Sequence, residues 1–404
     1  MALPVLIIGS GLGGVCLAQA LHKNHIPFKL FEQDQRHNLR TQGYRLRITG
    51  EGVSALEDAL TPELFSLYEK TCADWPSFGV RINGDGTPAG PPGRPGPPPH
   101  MNGAKAYTVD RATFREALLT GLDDHVAFGK HFNHYTIHDD KVVAHFADGS
   151  TQEGSLLVGA DGVRSRVRRQ YLPDYQGIDT GMRLIYGKTP ITPEFLAAVP
   201  EDFHHGMSLV TNGNDLSQPT LLFEPIHFPR SKEITRPQLP DPYVYWVLII
   251  HHSNLPSSNE QSWQTRAQDA AHLARHLTSS WIPSLRAIFD MQDASQSSIR
   301  SILSAPPDIP AWEPSQRVTL LGDALHVMPP TGAMGANTAL RDAADLARRI
   351  IAVGGAARVD CDTIGAYEAS LREFAKMAIE ASWRGGKNSF GLSDVEECEV
   401  IKLD

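Results

Sequence analysis

The chain opens on a strand, a glycine-rich turn, a helix and a second strand in immediate succession, and few folds accommodate that order. "PVLIIG" reads as a buried parallel strand, "GSGLGG" as the turn, "GVCLAQALHKN" as the helix, and "IPFKLFE" as a strand ending at Glu32. Gly9, Gly11 and Gly14 fit the G-x-G-x-x-G spacing. In that pattern the glycines permit a tight turn, close approach of backbone to a pyrophosphate, and close packing of helix on strand. The helix N-terminus adds partial positive charge for the phosphates. A carboxylate ending the second strand is placed to accept hydrogen bonds from ribose hydroxyls. The competing explanation is a tight turn in an ordinary α/β domain. The register of strand, helix, second strand and acid favours a dinucleotide site.

Two further segments share this strand-then-special-loop character. "SLLVGADGVRSRVRRQYL" (155–172) places Asp161-Gly162 after a short apolar strand, followed by Arg164, Ser165 and Arg168. Standing alone, it would pass as a common Asp-Gly turn. "RVTLLGD" (317–323) is a strand ending in Gly322-Asp323; His326, Pro329 and Pro330 follow, and "TGAMGAN" leads into an amphipathic helix with a Gly-Gly stop. Asp323 is placed to bind a polyol hydroxyl, and the glycines leave backbone N–H groups uncovered at a helix start, suited to an anion.

Composition narrows the classes. A net charge of −9 over 404 residues, with no extended Lys/Arg block, argues against nucleic acid as the main partner. Four cysteines, far apart and in no metal-binding spacing, indicate a reducing, cytoplasmic setting and no metal. The apolar N-terminus lacks a basic leader region and is interrupted by glycines, so neither a signal peptide nor an integral membrane segment is expected.

The three motifs, in this order and spacing, resemble the group A flavoprotein monooxygenases, the para-hydroxybenzoate hydroxylase-like family, over nearly the whole chain to about residue 385. "YTVDRATFREALLTGL" (107–122) is similar to that family's arginine-bearing segment, and "AYEASLRE" (366–373) to its closing helix. The resemblance implies an α/β fold: a Rossmann-like FAD-binding domain with a parallel sheet (1–180 and 300–360), interleaved with a mixed β-sheet substrate domain (181–299), plus a C-terminal helical region (361–404). It implies FAD as cofactor, NADPH or NADH and O2 as co-substrates, and a flavin C4a-hydroperoxide that hydroxylates or epoxidises an aromatic small molecule. Under it, Gly9, Gly11, Gly14 and Glu32 hold the adenosine diphosphate half of FAD. Arg111 contacts its phosphate or ribityl region, Gly322 and Asp323 the ribityl chain, and Gly335, Ala336 and Asn337 the isoalloxazine edge. Asp161 and Gly162 belong to the motif linked to both FAD and NAD(P)H. Ala333-Met334-Gly335 departs from the family's more usual Gly-Gln-Gly, and Gln33 stands where it often has Arg. Of Arg45 and Arg47, one is expected to point away by strand alternation, with Arg47 taken as the FAD contact.

Strands at 180–250 are expected to form the substrate-side sheet, with an apolar, aromatic-lined pocket suited to a phenolic, indolic or polyketide-like ring. Tyr186, Met207, Phe223, Trp246 and Pro330 are candidates for its wall, though packing within the sheet competes for each. Arg183, His326 and Pro330 are loose catalytic candidates; for His326 a structural role is the better expectation. The Pro/Gly-rich stretch 84–103 should be an extended loop, and "SDVEECEVIKLD" an acidic surface tail or terminal helix. A halogenase is disfavoured because Ser279 stands where the first Trp of W-x-W-x-I-P should be. A dehydrogenase or reductase of the same superfamily, or a flavin-binding protein without redox turnover, is the alternative reading.

Overall fold

The computed structural model describes residues 3–36, 45–74, 78–89, 105–211, 218–229, 237–255 and 267–403. Five parallel strands form one sheet in the order Val318–Leu320, Leu156–Gly159, Val5–Ile8, Phe28–Phe31 and Val126–Ala127. Successive strand residues face opposite sides, yet all four of Val5–Ile8 are buried, so both faces are covered. This explains the unbroken apolar run. The helix Leu12–Lys23 packs against the later helix Met334–Ala352. Gly13 permits the contact, since a Cβ there would lie 2.7 Å from a Leu321 methyl and 3.0 Å from the Ala339 carbonyl.

A second, mixed sheet stands beside the first, in the order Ser298–Ser304, Gly177–Pro190, Tyr243–His251, Thr220–Ile226, Met207–Val210 and Phe78–Ile82. The run "YVYWVLII" belongs to its central strand and is apolar because both its faces are buried. Tyr243, Tyr245, Val247 and Ile249 join the core shared with the nucleotide fold. Val244, Trp246 and Leu248 join a second core, closed by the helices Ala267–Leu277 and Pro283–Asp290. The sheet is not confined to 181–299. Phe78–Ile82 completes one edge in parallel with Met207–Val210, and Glu399–Ile401 pairs with Gly177–Asp179. The C-terminal segment is therefore no loose tail: strand pairing satisfies its backbone, and Leu403 is buried. Residues 84–89 lie at the start of the Pro/Gly-rich stretch, where Gly84 sits against Trp281 and its carbonyl accepts from Ile282 N at 3.0 Å. Residues 90–103 lie outside the described residues. Among the described residues no helix is long and apolar enough to cross a membrane.

Arg168 fastens these parts together. It is 1% exposed and donates to the carbonyls of Ala324 (2.8 Å), Val163 (2.8 Å) and Leu403 (2.7 Å), so one guanidinium joins two of the sequence motifs to the chain end. A second buried charge lies on the helix Cys361–Phe390, where Glu368 accepts from Thr319 Oγ1 at 2.9 Å. Burial raises its carboxyl to about 7. A folded-state value above the unfolded one means that stability is lost as pH rises from about 4.5 to about 7. Glu368→Gln should remove that dependence and stabilise the protein at pH 8 by up to about 3 kcal/mol. Denaturant unfolding at pH 5 and pH 8 tests this; an equal difference between variant and wild type at both pH values would refute it.

Candidate functional site

The glycine-rich turn, Glu32, Asp161 and Gly322-Asp323 all follow the C-terminal ends of neighbouring parallel strands, where open α/β sheets bind ligands. The three glycines of the first motif differ in kind. A Cβ on Gly9, whose φ is +106°, would lie 2.3 Å from the Ala160 carbonyl, and one on Gly14 would lie 2.1 Å from the Gly9 carbonyl. Both are demanded by the protein's own packing. A Cβ on Gly11 would meet nothing nearer than 4.0 Å. The protein does not need glycine there, whereas a pyrophosphate lying on the helix start does. That difference fits the residues present to a dinucleotide.

Glu32 is buried and held in place. Its Oε2 accepts from Ser10 N (3.1 Å) and Ser10 Oγ (2.7 Å) and pairs with Arg115 at 2.8 Å, while Oε1 accepts from Asp34 N at 2.9 Å. Burial would raise its pKa, but these donors and the Arg115 charge outweigh that and hold it below the ordinary carboxylate value. Arg115 also binds the Ser10 carbonyl at 2.6 Å. The sequence reading passed it over for Arg111, four residues earlier; one helical turn places both on one helix face. Burial pulls the Arg111 guanidinium below its ordinary value, opposed by the nearby Asp323 carboxylate. Asp323 itself is exposed, so its carboxylate is open to a hydroxyl-bearing ligand.

Asp161 braces the start of a helix whose N-cap is Ser165. It accepts from Ser165 Oγ (2.5 Å), Arg166 N (2.8 Å) and Val167 N (3.3 Å), ordering the turn through Gly162 (φ +77°) into the helix Arg166–Tyr171. His326 is fully buried with Nε2 2.5 Å from Asp342 Oδ2, which also accepts from Gly322 N at 3.1 Å. Burial disfavours the imidazolium, yet Asp342 wins and the His326 pKa is raised. It is thereby a buried brace for the Gly322 turn.

The helix Met334–Ala352 begins at Ala333, in the left-handed region at φ +59°, a conformation costing a non-glycine residue about 1 kcal/mol. Its carbonyl accepts from Asn337 Nδ2 at 2.6 Å. The same amide donates to the Arg47 carbonyl (3.0 Å) and accepts from Thr49 N (3.0 Å). Asn337 is thus a clamp between this helix and the strand Arg45–Thr49, while Gly335 and Ala336 remain half-buried at the helix start. Gly52, which the sequence reading did not single out, makes room for it: a Cβ there would lie 2.0 Å from Asn337 Oδ1.

Several expected site residues sit elsewhere. Phe223 and Trp246 lie in the second core, on the face of the sheet turned away from the nucleotide fold. Trp246 packs on Phe289 and donates to Thr189 Oγ1 at 3.1 Å. Alternation had marked two faces without saying which faces the ligand. Tyr186 and Tyr245 are on the facing side, their rings 6.3 Å apart, and Met207 is half-buried beside Arg45. Arg183 is tied to Asp179 by two hydrogen bonds (2.9 and 3.2 Å), an ion pair within its own strand. Pro330 is exposed and its neighbour Pro329 buried. Arg45 and Arg47 do not diverge. Residues two apart on a strand share a face, and both reach Glu224, at 2.5 and 2.7 Å.

Residues 96–382 match the family model described as an FAD binding domain, and the chain belongs to that family. It is 40% identical to a dual O-methyltransferase/FAD-dependent monooxygenase of Phaeosphaeria nodorum, covering 99% of this chain and 47% of that one. It is 38% identical to another of that description from Cercospora beticola, over 98% and 47%. The chain spans about half the length of these curated relatives. Among solved structures, an FAD-containing monooxygenase from Photorhabdus luminescens is 28% identical with a TM-score of 0.78, over 96% of this chain and 99% of that one. Salicylate hydroxylase shares the fold at 20% identity and a TM-score of 0.70, over 97% and 90%. The α/β architecture and FAD as the cofactor of this site follow.

Two substitutions separate binding from folding. Gly11→Val should lower bound FAD at least about tenfold while leaving the melting temperature of the apoprotein within a few degrees, because its Cβ meets only open space. Gly9→Val should fail to give folded protein. Full flavin content in purified Gly11→Val would remove the pyrophosphate assignment. Asn337→Ala, which removes the partner of Thr49 N–H and of the Arg47 carbonyl, should cost about 2–3 kcal/mol in denaturant unfolding; a loss under about 0.5 kcal/mol would show that the clamp is idle.

Proposed function

We propose that this chain is an FAD-dependent monooxygenase that uses NAD(P)H and O2 to insert one oxygen atom into an electron-rich aromatic small molecule, the second oxygen leaving as water. The observation that carries this is convergence: three nucleotide motifs and the helix start at Met334 meet beneath one face of a mixed sheet, where Tyr186, Tyr245 and Met207 offer a half-apolar wall. The names borne by the relatives support the same reaction. Their second activity supports an oxygen-rich substrate, since methyl transfer to oxygen needs a hydroxyl acceptor.

Bound FAD supplies the activation of dioxygen and the redox chemistry. The chain's residues do the rest. Gly11 and the following helix start receive the pyrophosphate, Glu32 the ribose hydroxyls, Arg111 a phosphate or ribityl oxygen, and Asp323 the ribityl chain. First-turn N–H groups of the helix Met334–Ala352 would offer partial positive charge to an electron-rich part of the bound cofactor. The division of labour follows the two sheets: the parallel sheet and its loops hold the nucleotide, and the mixed sheet covers the substrate and excludes water.

The test is anaerobic mixing of FAD-loaded protein with NADPH or NADH, with and without a panel of phenols and naphthols, followed by flavin absorbance. We expect bleaching accelerated at least about tenfold by an accepted aromatic, as substrate-gated reduction requires, then oxygenated product on admitting air. Bleaching by the aromatics alone would make the chain a dehydrogenase. Flavin that neither nucleotide bleaches with any compound would place it among non-redox flavin binders.

A further inference from the structure

The helix that carries Arg111 starts at a residue held from two sides. Asp110 is 3% exposed and caps the helix Arg111–Leu118 through Oδ1, which accepts from Ala112 N (3.1 Å), Thr113 N (3.1 Å) and Thr113 Oγ1 (3.2 Å). Its Oδ2 is turned to the mixed sheet. There it pairs with Lys188 Nζ at 2.9 Å and accepts from the Tyr243 hydroxyl at 2.8 Å. Lys188 stands on the strand Gly177–Pro190 and Tyr243 on its neighbour Tyr243–His251, and the ammonium lies 4.1 Å from the Tyr243 ring centroid. Two strands of the mixed sheet thus grip one carboxylate oxygen at the start of a helix that packs on Leu12–Lys23 of the nucleotide fold.

A helix cap needs one side-chain oxygen, and asparagine supplies it as well as aspartate. Capping therefore does not explain the second oxygen or the buried charge. Stability does not explain them either, since a buried ion pair roughly balances its own desolvation; what such a pair can fix is position. Arg111 follows Asp110 directly, so where Lys188 and Tyr243 hold Asp110 decides where the Arg111 side chain begins. Burial lowers the Arg111 guanidinium, and the groups whose charge acts on it are Asp323, Arg115, Tyr186 and Glu32, all but Tyr186 belonging to the nucleotide site. The strand ending in Asp110 is secured separately. Ala106–Asp110 pairs with Arg45–Thr49, and Arg47 reaches Thr108 Oγ1 at 2.9 Å and Glu224 at 2.7 Å. Removing Lys188 leaves that docking in place and frees the helix start.

We propose that Lys188 is a positioning residue for the cofactor: acting with Tyr243 through Asp110, it sets where Arg111 meets FAD. This rests on the assignment of Arg111 to a phosphate or ribityl oxygen of FAD. It gives the mixed sheet a part in nucleotide binding beyond covering the substrate. Tyr186 of the aromatic wall lies two residues from Lys188 on the same strand face, and Tyr245 is the cross-strand partner of Lys188. The strands that carry the wall are thus the strands that hold the helix of Arg111.

The experiment is a double-mutant cycle on FAD affinity, with FAD-loaded protein dialysed to equilibrium and free flavin read by fluorescence. Arg111→Met should weaken FAD binding at least about tenfold, the worth of one charge-assisted hydrogen bond. Lys188→Met should weaken it about fivefold or more in the wild-type background and less than about twofold in the Arg111→Met background, because residues acting through one contact are non-additive. Asp110→Asn, which keeps the cap and loses the ion pair, should repeat both results while leaving the melting temperature of the apoprotein close to that of the wild type. A mere strut would add its full loss in both backgrounds. That additivity, or wild-type affinity in Lys188→Met and Asp110→Asn, overturns the proposal while the loss in Arg111→Met upholds the FAD assignment. Wild-type affinity in Arg111→Met would instead defeat the assignment of Arg111 to FAD, and the proposal with it.

Discussion

One amide side chain sets the geometry on which the site depends. Asn337 donates to the Arg47 and Ala333 carbonyls and accepts from Thr49 N, joining the start of a long helix to a strand nearly three hundred residues earlier. The clamp holds Ala333 in its left-handed conformation at the helix start. It also sets the strand so that Arg45 and Arg47 reach Glu224 on the mixed sheet. Helix, strand and sheet are thereby coupled, and Gly52 is glycine because a side chain there would fill the space the amide needs.

Around this clamp, charge is placed where burial raises its effect. Glu32 is matched by Arg115, His326 by Asp342 and Asp110 by Lys188. Arg168 is satisfied by three carbonyls. Low local dielectric strengthens these interactions and makes an unmatched group expensive. The exposed Asp323 carboxylate therefore stands out, at a strand end beside the nucleotide motifs, where it suits a polyol hydroxyl.

Much of the nucleotide site was legible in the chain because its chemistry is local. Gly9, Gly11 and Gly14 announce a turn, a helix start and an approach to phosphate within a few residues. Asp161 and Asp323 each follow a short apolar strand, so their position at a strand end could be read directly. The family resemblance rested on the order of these local signals. Folding adds contacts that local signals do not show: Asp161 accepts from the first amide of a helix, and Asn337 ties a helix to a strand.

What only the tertiary structure decided depends on contacts between distant segments. Strand periodicity shows that Trp246 and Tyr245 face opposite ways, but which face meets the nucleotide fold is set by where the helices Ala267–Leu277 and Pro283–Asp290 pack. The partners of Arg115, Arg183 and Arg47 follow from sheet register and helix docking, as does the use of the C-terminal segment as a strand. Backbone turns and caps are short-range and leave a signature in sequence; ion pairs and buried faces are long-range, and energetics selects among many partners only once the chain has folded.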